Sequence, residues 1–303
     1  MSKHSIKLYK YTLLSDIDLG YKSYNGENTI NLISKKGNTI KQENIYENNN
    51  GEFQIDSPIA SYTINTKNKQ ISVLYNSVEE IRSTLFNLPM AAYAVYEGDL
   101  LLHASSIYQN GEIVAFCGSK GKGKSTLVSL FGNQTPIFSD DTIYLTDSSS
   151  SVVGCSSFYG LKLTEETWDN CKGNTEKIFG DFPRTIQNKA FVPAKEIGLM
   201  MYEESRDDMF KPKLTSIVVL HRTTDAFPRI IPIENMIEKT SVLLENCVGT
   251  AFFSHSMLNG LITSKLFKSV VRNCRFYNLY IPDSLVWLKK NYINLLEMIL
   301  EEV

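Results

Sequence analysis

The sequence predicts an α/β fold in which a phosphate-loop domain follows a small β-rich N-terminal domain. In the middle of the chain, an apolar run over residues 113–117 reads as a buried strand, and a glycine-rich loop connects it to a helical pattern over residues 125–131. Residues up to about 77 alternate in short apolar and polar runs, which is typical of half-buried strands. The 303 residues are enough for two domains of ordinary size. We therefore expect one domain over residues 1–84 and a second over residues 85–303.

The N-terminal part of the chain carries strand signals and ends in a helical segment. Two alternating runs, over residues 62–64 and 71–75, are separated by a polar turn and predict a hairpin. Apolar residues then recur at helical spacing from Val78 to Leu88, and Pro89 should bend or break the helix before it resumes. This segment is expected to link the two domains.

The second domain is expected to begin with another hairpin. Residues 100–107 and 113–117 flank Asn110-Gly111, which is the strongest short signal for a hairpin turn. Hydrophobic patterns further along the chain predict strands over residues 142–145 and 216–220, a helix traced by Met236, Thr240, Leu243 and Cys247, and a last amphipathic helix after Ser284.

Residues 118–125 form a complete G-x-x-x-x-G-K-[ST] phosphate loop. Its glycines permit backbone conformations that turn successive N–H groups into one concavity, where they meet phosphate oxygens. The helix that follows adds the positive end of its dipole. We expect Lys124 to reach the β- and γ-phosphates of ATP, and the Ser125 hydroxyl to ligate a Mg²⁺ ion that bridges them. The predicted nucleotide-binding residues are Gly118, Ser119, Lys120, Gly121, Lys122, Gly123, Lys124, Ser125 and Thr126.

Phosphoryl transfer also needs an acidic residue and a group that handles the acceptor. The candidates are Asp140 and Asp141, which come one helix after the loop and lead into the strand that reaches Leu145. Because neighbouring side chains of an extended chain point to opposite faces, the two aspartates should have different tasks. One aspartate would face the γ-phosphate and the acceptor, and the other would orient the first or touch the metal through water. His103 closes an apolar run at the edge of the hairpin, where a buried packing histidine is the alternative reading.

Composition limits the partners and the compartment. The formal net charge of −2 provides no field that would gather nucleic acid or an anionic membrane. The longest uncharged apolar stretch, around residues 88–96, is far shorter than the roughly 18 residues that a membrane span needs, and no apolar signal core follows Met1. We expect a cytoplasmic protein.

The five cysteines have neither C-x-x-C nor zinc spacing, and Cys117 is expected to be a small buried packing residue.

Four segments, taken in order, resemble the HPr kinase/phosphorylase-like serine kinases. The similarity is greatest to the shorter bacterial members that include the kinases of lasso-peptide biosynthesis. It covers roughly residues 85–303, and the loop and Asp-Asp motifs are specific in combination, whereas the flanking apolar patterns are weak. The segments are Leu102-His103-Ala104-Ser105, Val114 through the phosphate loop, Ser139-Asp140-Asp141 and Gly160-Leu161-Lys162-Leu163, with a closing Tyr280-Ile281-Pro282-Asp283.

The resemblance implies a kinase, related in fold to phosphoenolpyruvate carboxykinases, that acts on a serine hydroxyl with ATP and Mg²⁺. It gives the general-base role to Asp140, a supporting hydrogen bond to Asp141, and a place beside the γ-phosphate to His103. Lys162 stands where relatives often carry a basic residue, which implies a phosphate or acceptor contact. HPr kinases assemble as oligomers, so the resemblance also implies a homo-oligomer.

Two positions depart from the pattern of the family. Lys120 replaces the serine that is usual in the loop; like Lys122, it either screens phosphate charge or is a solvated loop lysine. The metal-binding glutamate of HPr kinases is absent before Gly160, so Asp141, Glu165 or water must serve instead. The phosphorylase activity of the HPr enzymes is not carried over.

The acceptor is left open by the sequence. A serine of a peptide or protein, such as a ribosomally made precursor peptide, is the first choice because the β-rich domain offers strands for edge pairing. Free serine or another small hydroxyl compound is the alternative, and it would require a closed pocket beside Asp140. A nucleotide-sensing module without catalysis is the third reading, and it leaves the paired aspartates without a task. No Asn-Lys-x-Asp segment follows the loop and no Ser-Gly-Gly-Gln segment occurs, which disfavours GTPases and transport ATPases.

Overall fold

The structure is a computed structural model that describes residues 3–21, 23–37, 44–48, 51–148, 151–156, 160–165, 190–193, 198–203 and 211–303. Its architecture is mixed α/β, as predicted. The chain divides into two compact units: the first comprises Met1–Leu101, Cys155–Ser157 and Cys247–Phe267, and the second comprises Leu102–Gly154, Phe158–Asn246 and Lys268–Val303. The predicted boundary after residue 84 falls within the first segment of the first unit.

The described strands and helices are numbered in chain order. The strands are β1 (His4–Leu8), β2 (Tyr11–Ser15), β3 (Thr29–Lys36), β4 (Asn44–Asn48), β5 (Glu52–Asp56), β6 (Ala60–Asn65), β7 (Gln70–Tyr75), β8 (Leu100–Leu102), β9 (Ser105–Gln109), β10 (Glu112–Cys117), β11 (Ile137–Ser139), β12 (Ile143–Ser148), β13 (Ser151–Cys155), β14 (Gly160–Leu163), β15 (Ala190–Pro193), β16 (Lys213–Thr223), β17 (Arg229–Pro232) and β18 (Arg275–Pro282). The helices are α1 (Val78–Thr84), α2 (Leu88–Glu97), α3 (Lys124–Phe131), α4 (Met236–Asn246), α5 (His255–Thr263), α6 (Lys265–Asn273) and α7 (Leu285–Glu302).

The first unit is built on a sheet with the strand order β1-β2-β3-β7-β6-β5-β4. Strand β3 runs parallel to β2 and β7, and the other neighbours are antiparallel. Ile71, Val73 and Tyr75 alternate with less buried residues along β7, so every second side chain enters the core. The predicted hairpin is confirmed as β6 and β7, which pair Ile64 with Ile71.

The helical segment after this sheet consists of two helices. The Ser77 side chain accepts a hydrogen bond from the Glu80 backbone, and the Glu80 side chain accepts one from Ser77, so α1 begins with a capping box. Pro89 lies in the first turn of α2, where its missing N–H removes no helical hydrogen bond. The break between the helices therefore falls ahead of the proline.

The second unit contains a sheet with the strand order β11-β9-β10-β16-β13-β12. Strand β16 runs parallel to β10 and, along most of its length, parallel to β18, which also pairs with β17. The predicted turn is confirmed between β9 and β10, where Asn110 and Gly111 have φ values of 52° and 89°. Two successive left-handed residues match the right-handed twist of the flanking strands.

Helices α3 and α7 pack on this sheet around one apolar core. Ser284 caps α7 by accepting a hydrogen bond from the Trp287 N–H, which confirms the predicted start of the last helix. Helix α4 is confirmed as well, between Met236 and Asn246. The core residues include Ile107, Val114, Phe116, Leu127, Phe131, Ile137, Val218, Leu279, Leu288 and Ile299.

Candidate functional site

The phosphate loop and the acidic residues lie at the same edge of the second unit's sheet. Strands β10, β11 and β16 run in one direction, since β10 and β11 both pair antiparallel with β9. Their carboxyl ends, at Cys117, Ser139 and Thr223, therefore lie together with the start of β9 at Ser105. Strands β10 and β11 lie two places apart in this sheet, a separation of about 10 Å. Ligands of α/β proteins bind outside the carboxyl ends of strands, so this edge is the candidate site.

The phosphate loop has the conformation that its sequence requires. Gly118, Gly121 and Gly123 have φ values of 133°, 87° and 88°, and Gly123 is the N-cap of α3. Lys124 is 8% exposed, and its Nζ donates a hydrogen bond to the Gly118 carbonyl at 2.7 Å. The ammonium is thereby held over the loop. Ser125 lies in the first turn of α3, and the residue is partly exposed.

Arg222, at the end of β16, supports the phosphate loop through a hydrogen bond to the loop backbone. Its Nε donates to the Lys122 carbonyl at 3.1 Å, and its Nη1 donates to the Pro282 carbonyl at 3.3 Å. A Cβ on Gly123 would lie 2.1 Å from Nη2 of this arginine, so the position suits a residue without a side chain. Burial lowers the pKa of Arg222 from its ordinary value, an effect that nearby Asp283 opposes.

Cys117, the last residue of β10, is buried as predicted. Burial raises the pKa of its thiol to about 12, although the Lys124 ammonium acts in the opposite direction. The thiol therefore stays protonated at neutral pH, which agrees with a packing role.

Asp140 is completely buried directly after β11. Its Oδ1 accepts a hydrogen bond from the Ser105 hydroxyl at 2.5 Å, and its Oδ2 accepts one from the Lys162 backbone N–H at 2.9 Å. Both oxygens are thus engaged inside the protein, with 0% of the residue exposed. This carboxylate joins the start of β9 to β14 and is not open to a ligand.

Asp141 has the opposite environment. Its side chain is 19% exposed, with Oδ2 accepting a hydrogen bond from the Lys162 Nζ at 2.7 Å and Oδ1 lying 3.9 Å from the His103 Nε2. The expected divergence of the two aspartates is present, but strand alternation is the wrong reason. Strand β11 ends at Ser139, and Asp141 has a left-handed φ of 73°, which aspartate tolerates better than most residues.

His103 connects Asp141 to a cavity beside the phosphate loop. Its side chain is 45% exposed, so the buried packing alternative does not apply. The cavity has a volume of about 280 Å³ and is lined by His103, Gly118, Ser119, Lys120, Lys122, Val219, Leu220, His221, Glu245 and Asn246. Lys120 and Lys122 therefore bring positive charge to the wall of the space next to the loop.

The remaining predicted site residues can also be located. Lys162 lies in β14 and contacts both aspartates, through its backbone and its side chain. Thr126 follows Ser125 in α3 and is partly exposed, and Glu165 is exposed. Among the residues that the structure describes, no group of three or more His, Cys, Asp or Glu could hold a metal ion.

Three contributors were missed from the sequence: Ser105, Arg222 and Asn246. A signal existed for Ser105, because a serine pair interrupts an otherwise apolar strand. A signal also existed for Asn246, which lies three residues after Leu243 and therefore on the same side of the predicted helix. Arg222 comes just after the predicted strand over residues 216–220, and no neighbouring residue in the sequence marks it as part of a site.

Comparisons with known proteins give limited similarity. No family model matches the chain. A segment of 133 residues is 29% identical to ABC transporter G family member 4 of Dictyostelium discoideum, covering 41% of this chain and 17% of that relative. The chain thus spans less than a fifth of the relative's length. The HPr(Ser) kinase/phosphatase of Coxiella burnetii aligns over 67% of this chain and 99% of its own, with 10% identity. Its TM-score of 0.33 is too low to support any conclusion from this likeness.

None of the helices in the described ranges combines the length and the apolar character that crossing a bilayer requires.

Proposed function

We propose that the protein is an ATP-dependent kinase that transfers the γ-phosphoryl group to a serine hydroxyl. The observation that carries this proposal is the common sheet edge, which holds both a complete phosphate loop and the turn with Asp141. His103 lines the cavity beside the loop and lies 3.9 Å from the Asp141 carboxylate, which also pairs with Lys162. Phosphoryl transfer demands mainly positioning and charge neutralisation, which loop amides, Lys124 and neighbouring cations can supply.

Asp141 is proposed as the group that accepts the proton, in place of Asp140. Asp140 has no exposed surface and both of its oxygens are engaged, whereas Asp141 is partly exposed next to His103. In the proposed step, the serine oxygen bonds to the γ-phosphorus while the bond from that phosphorus to the β,γ-bridging oxygen breaks. The hydroxyl proton passes to Asp141, and ADP leaves.

Mg²⁺ is the proposed metal, held by the Ser125 hydroxyl together with phosphate oxygens. Mg²⁺ prefers oxygen ligands, keeps several waters and seldom needs an all-protein cage, so a hydroxyl at the start of α3 fits it. When bound, the ion would neutralise charge on the phosphates. Asp141 is the alternative protein ligand, since its carboxylate is also partly exposed at this edge.

The distant similarity to an ABC transporter supports nucleotide binding only. The chain matches only 17% of that relative and contains no Ser-Gly-Gly-Gln segment. Transport is therefore not part of the proposal.

A serine of a peptide or protein is the proposed acceptor, with free serine or another small hydroxyl compound as the alternative. The alternative gains some support from the cavity of about 280 Å³ that His103 shares with the phosphate loop. A peptide could instead pair with an edge of the first unit's sheet.

The test is incubation of the purified chain with ATP and Mg²⁺, in parallel with a serine-containing peptide library and with free serine. Mass spectrometry should reveal an 80 Da phosphoryl adduct, about the mass of HPO₃, on a peptide serine. An adduct on free serine alone would select the alternative acceptor. Tight ATP binding without transfer to any acceptor would contradict the kinase proposal and favour a nucleotide-sensing module.

A further inference from the structure

Asn246, the last residue of α4, makes hydrogen bonds to two separate parts of the candidate site. Its side-chain Oδ1 accepts from the Gly118 N–H at 3.0 Å, and Gly118 is the first residue of the phosphate loop. Its backbone carbonyl accepts from the His103 N–H at 2.7 Å. One residue, 128 positions away from Gly118 in the sequence, therefore touches both the nucleotide loop and the histidine beside Asp141.

The orientation of the Asn246 amide is fixed by a third hydrogen bond. Its Nδ2 donates to the Val242 carbonyl at 2.8 Å, one helical turn earlier. Because only the amide nitrogen can donate, this bond turns Oδ1 toward Gly118, where an acceptor is needed. The residue is 8% exposed, so water competes little for these bonds.

The contact with Gly118 constrains the loop at a sensitive point. Gly118 has a φ of 133°, and a Cβ there would lie 3.2 Å from the Leu220 carbonyl, so both the backbone conformation and the space favour glycine. Its carbonyl accepts the Lys124 Nζ. A shift of Gly118 would therefore move the lysine that is assigned to the phosphates.

We propose that Asn246 is a positioning residue of the nucleotide site, which sets the start of the phosphate loop and the backbone of His103 at the same time. The proposal rests on the proposed function in so far as the loop binds ATP. Asn246 is not assigned a contact with the reacting atoms. Its effect passes through Gly118 to Lys124 and through His103 to Asp141.

The test compares Asn246→Ala with Asn291→Ala. Asn291 in α7 is a matched control because its Nδ2 also donates to a carbonyl one turn earlier, that of Trp287, at the same 2.8 Å. Asn246→Ala should weaken the binding of ATP about tenfold, the size expected when one buried N–H loses its acceptor, and should raise KM for ATP more than it lowers kcat. Asn291→Ala should leave both unchanged.

Hydrogen exchange provides a readout that does not depend on activity. Peptides that contain Gly118 should exchange faster in Asn246→Ala, whereas peptides from β18 should exchange as in the wild type. Equal ATP binding and equal exchange in the two alanine variants would overturn the proposal. If Asn246→Ala does not fold, Asn246→Asp serves instead. It removes the Nδ2 donor that turns Oδ1 toward Gly118, so peptides that contain Gly118 should still exchange faster than in the wild type, and unchanged exchange would overturn the proposal.

The two proposals fail in different ways. A wild-type chain that binds no ATP would remove the proposed function and, with it, the nucleotide role of Asn246. If the wild type binds ATP and Asn246→Ala binds it equally tightly, only the positioning role of Asn246 is ruled out.

Discussion

The phosphate loop and the turn that carries Asp140 and Asp141 occupy the same sheet edge but differ in what determines their chemistry. In the loop, backbone N–H groups are the main binding groups, and the glycines permit the positive φ values that the loop requires. In the acid turn, two identical neighbouring residues differ because one is sealed by Ser105 and Lys162, while the other is partly exposed. The comparison teaches that a backbone-built site can be inferred from residue types, whereas side-chain roles depend on surroundings that come from elsewhere in the chain.

The largest effect is expected from exchanging the two acids for amides. Asp141→Asn should lower kcat by about 10²–10⁴-fold, the usual contribution of a positioned base, and should leave ATP affinity nearly unchanged. Asp140→Asn should instead lower the free energy of unfolding by about 1–3 kcal/mol, since an amide cannot accept both buried hydrogen bonds. Phosphoryl-transfer kinetics and thermal unfolding, measured on both variants, check this difference.

The same pair of variants separates a proton acceptor from a metal ligand. If Asp141 accepts the proton, the loss of kcat in Asp141→Asn should persist at saturating Mg²⁺. Recovery of kcat when the Mg²⁺ concentration is raised would identify Asp141 as a metal ligand instead. The assignment of the two roles would be wrong if Asp140→Asn lost turnover at unaltered stability while Asp141→Asn remained active.

Replacement of Lys124 by alanine should give the next largest effect, this time on the loop side of the comparison. Loss of the ammonium should lower kcat by about 10²–10³-fold and weaken ATP binding too, because the same charge serves the ground state and the transition state. Lys122→Ala is the control, since the Lys122 contact with Arg222 uses the backbone carbonyl and survives the change. A titration with ATP beside a kinase assay measures both quantities, and equal losses in the two variants would contradict the special role of Lys124.

Much of the second unit's fold could be predicted, because its signals are local. The apolar run before the loop, the Asn110-Gly111 turn and the serine ahead of the last helix each act within a few residues, and each occurs where the sequence indicates it. The roles of the two aspartates could not be predicted in this way. Asp140 is buried because Ser105 and Lys162 reach it from 35 and 22 positions away, so its environment depends on strand pairing.

Gly123→Ala should have a smaller effect that tests the loop's support. Gly121 and Gly123 have almost the same φ, 87° and 88°, but a Cβ at Gly121 meets nothing within 4 Å, whereas one at Gly123 overlaps Arg222. Backbone strain of about 1–2 kcal/mol should be common to both alanine variants. Gly123→Ala should lose about 1.5–3 kcal/mol more, because Arg222 must turn away from its carbonyl partners. Chemical denaturation measures the difference, and equal stability of the two variants would show that Arg222 does not support the loop.

The smallest effect is expected at Ser105, where the buried side of the acid turn can be tested without changing a carboxylate. Ser105 and Ser106 are adjacent in β9 and both fully buried, but the Ser105 hydroxyl donates to Asp140 at 2.5 Å, whereas that of Ser106 donates to a neutral carbonyl at 3.4 Å. Ser105→Ala should cost about 1.5 kcal/mol, the low end for a hydrogen bond to a charged group, because Asp140 keeps the Lys162 N–H. Ser106→Ala, which removes the longer bond, should cost less.

Turnover at saturating ATP should change little in Ser105→Ala if Asp140 only anchors the turn, because the remaining bond to Lys162 still holds it beside Asp141. A fall in kcat as deep as that of Asp141→Asn, with stability unchanged, would instead place Asp140 in the chemistry itself. Thermal unfolding and kcat of the two serine variants therefore show whether Asp140 anchors the turn or takes part in the reaction. An anchoring carboxylate predicts that Ser105→Ala lowers stability, whereas a reacting one predicts that it lowers kcat.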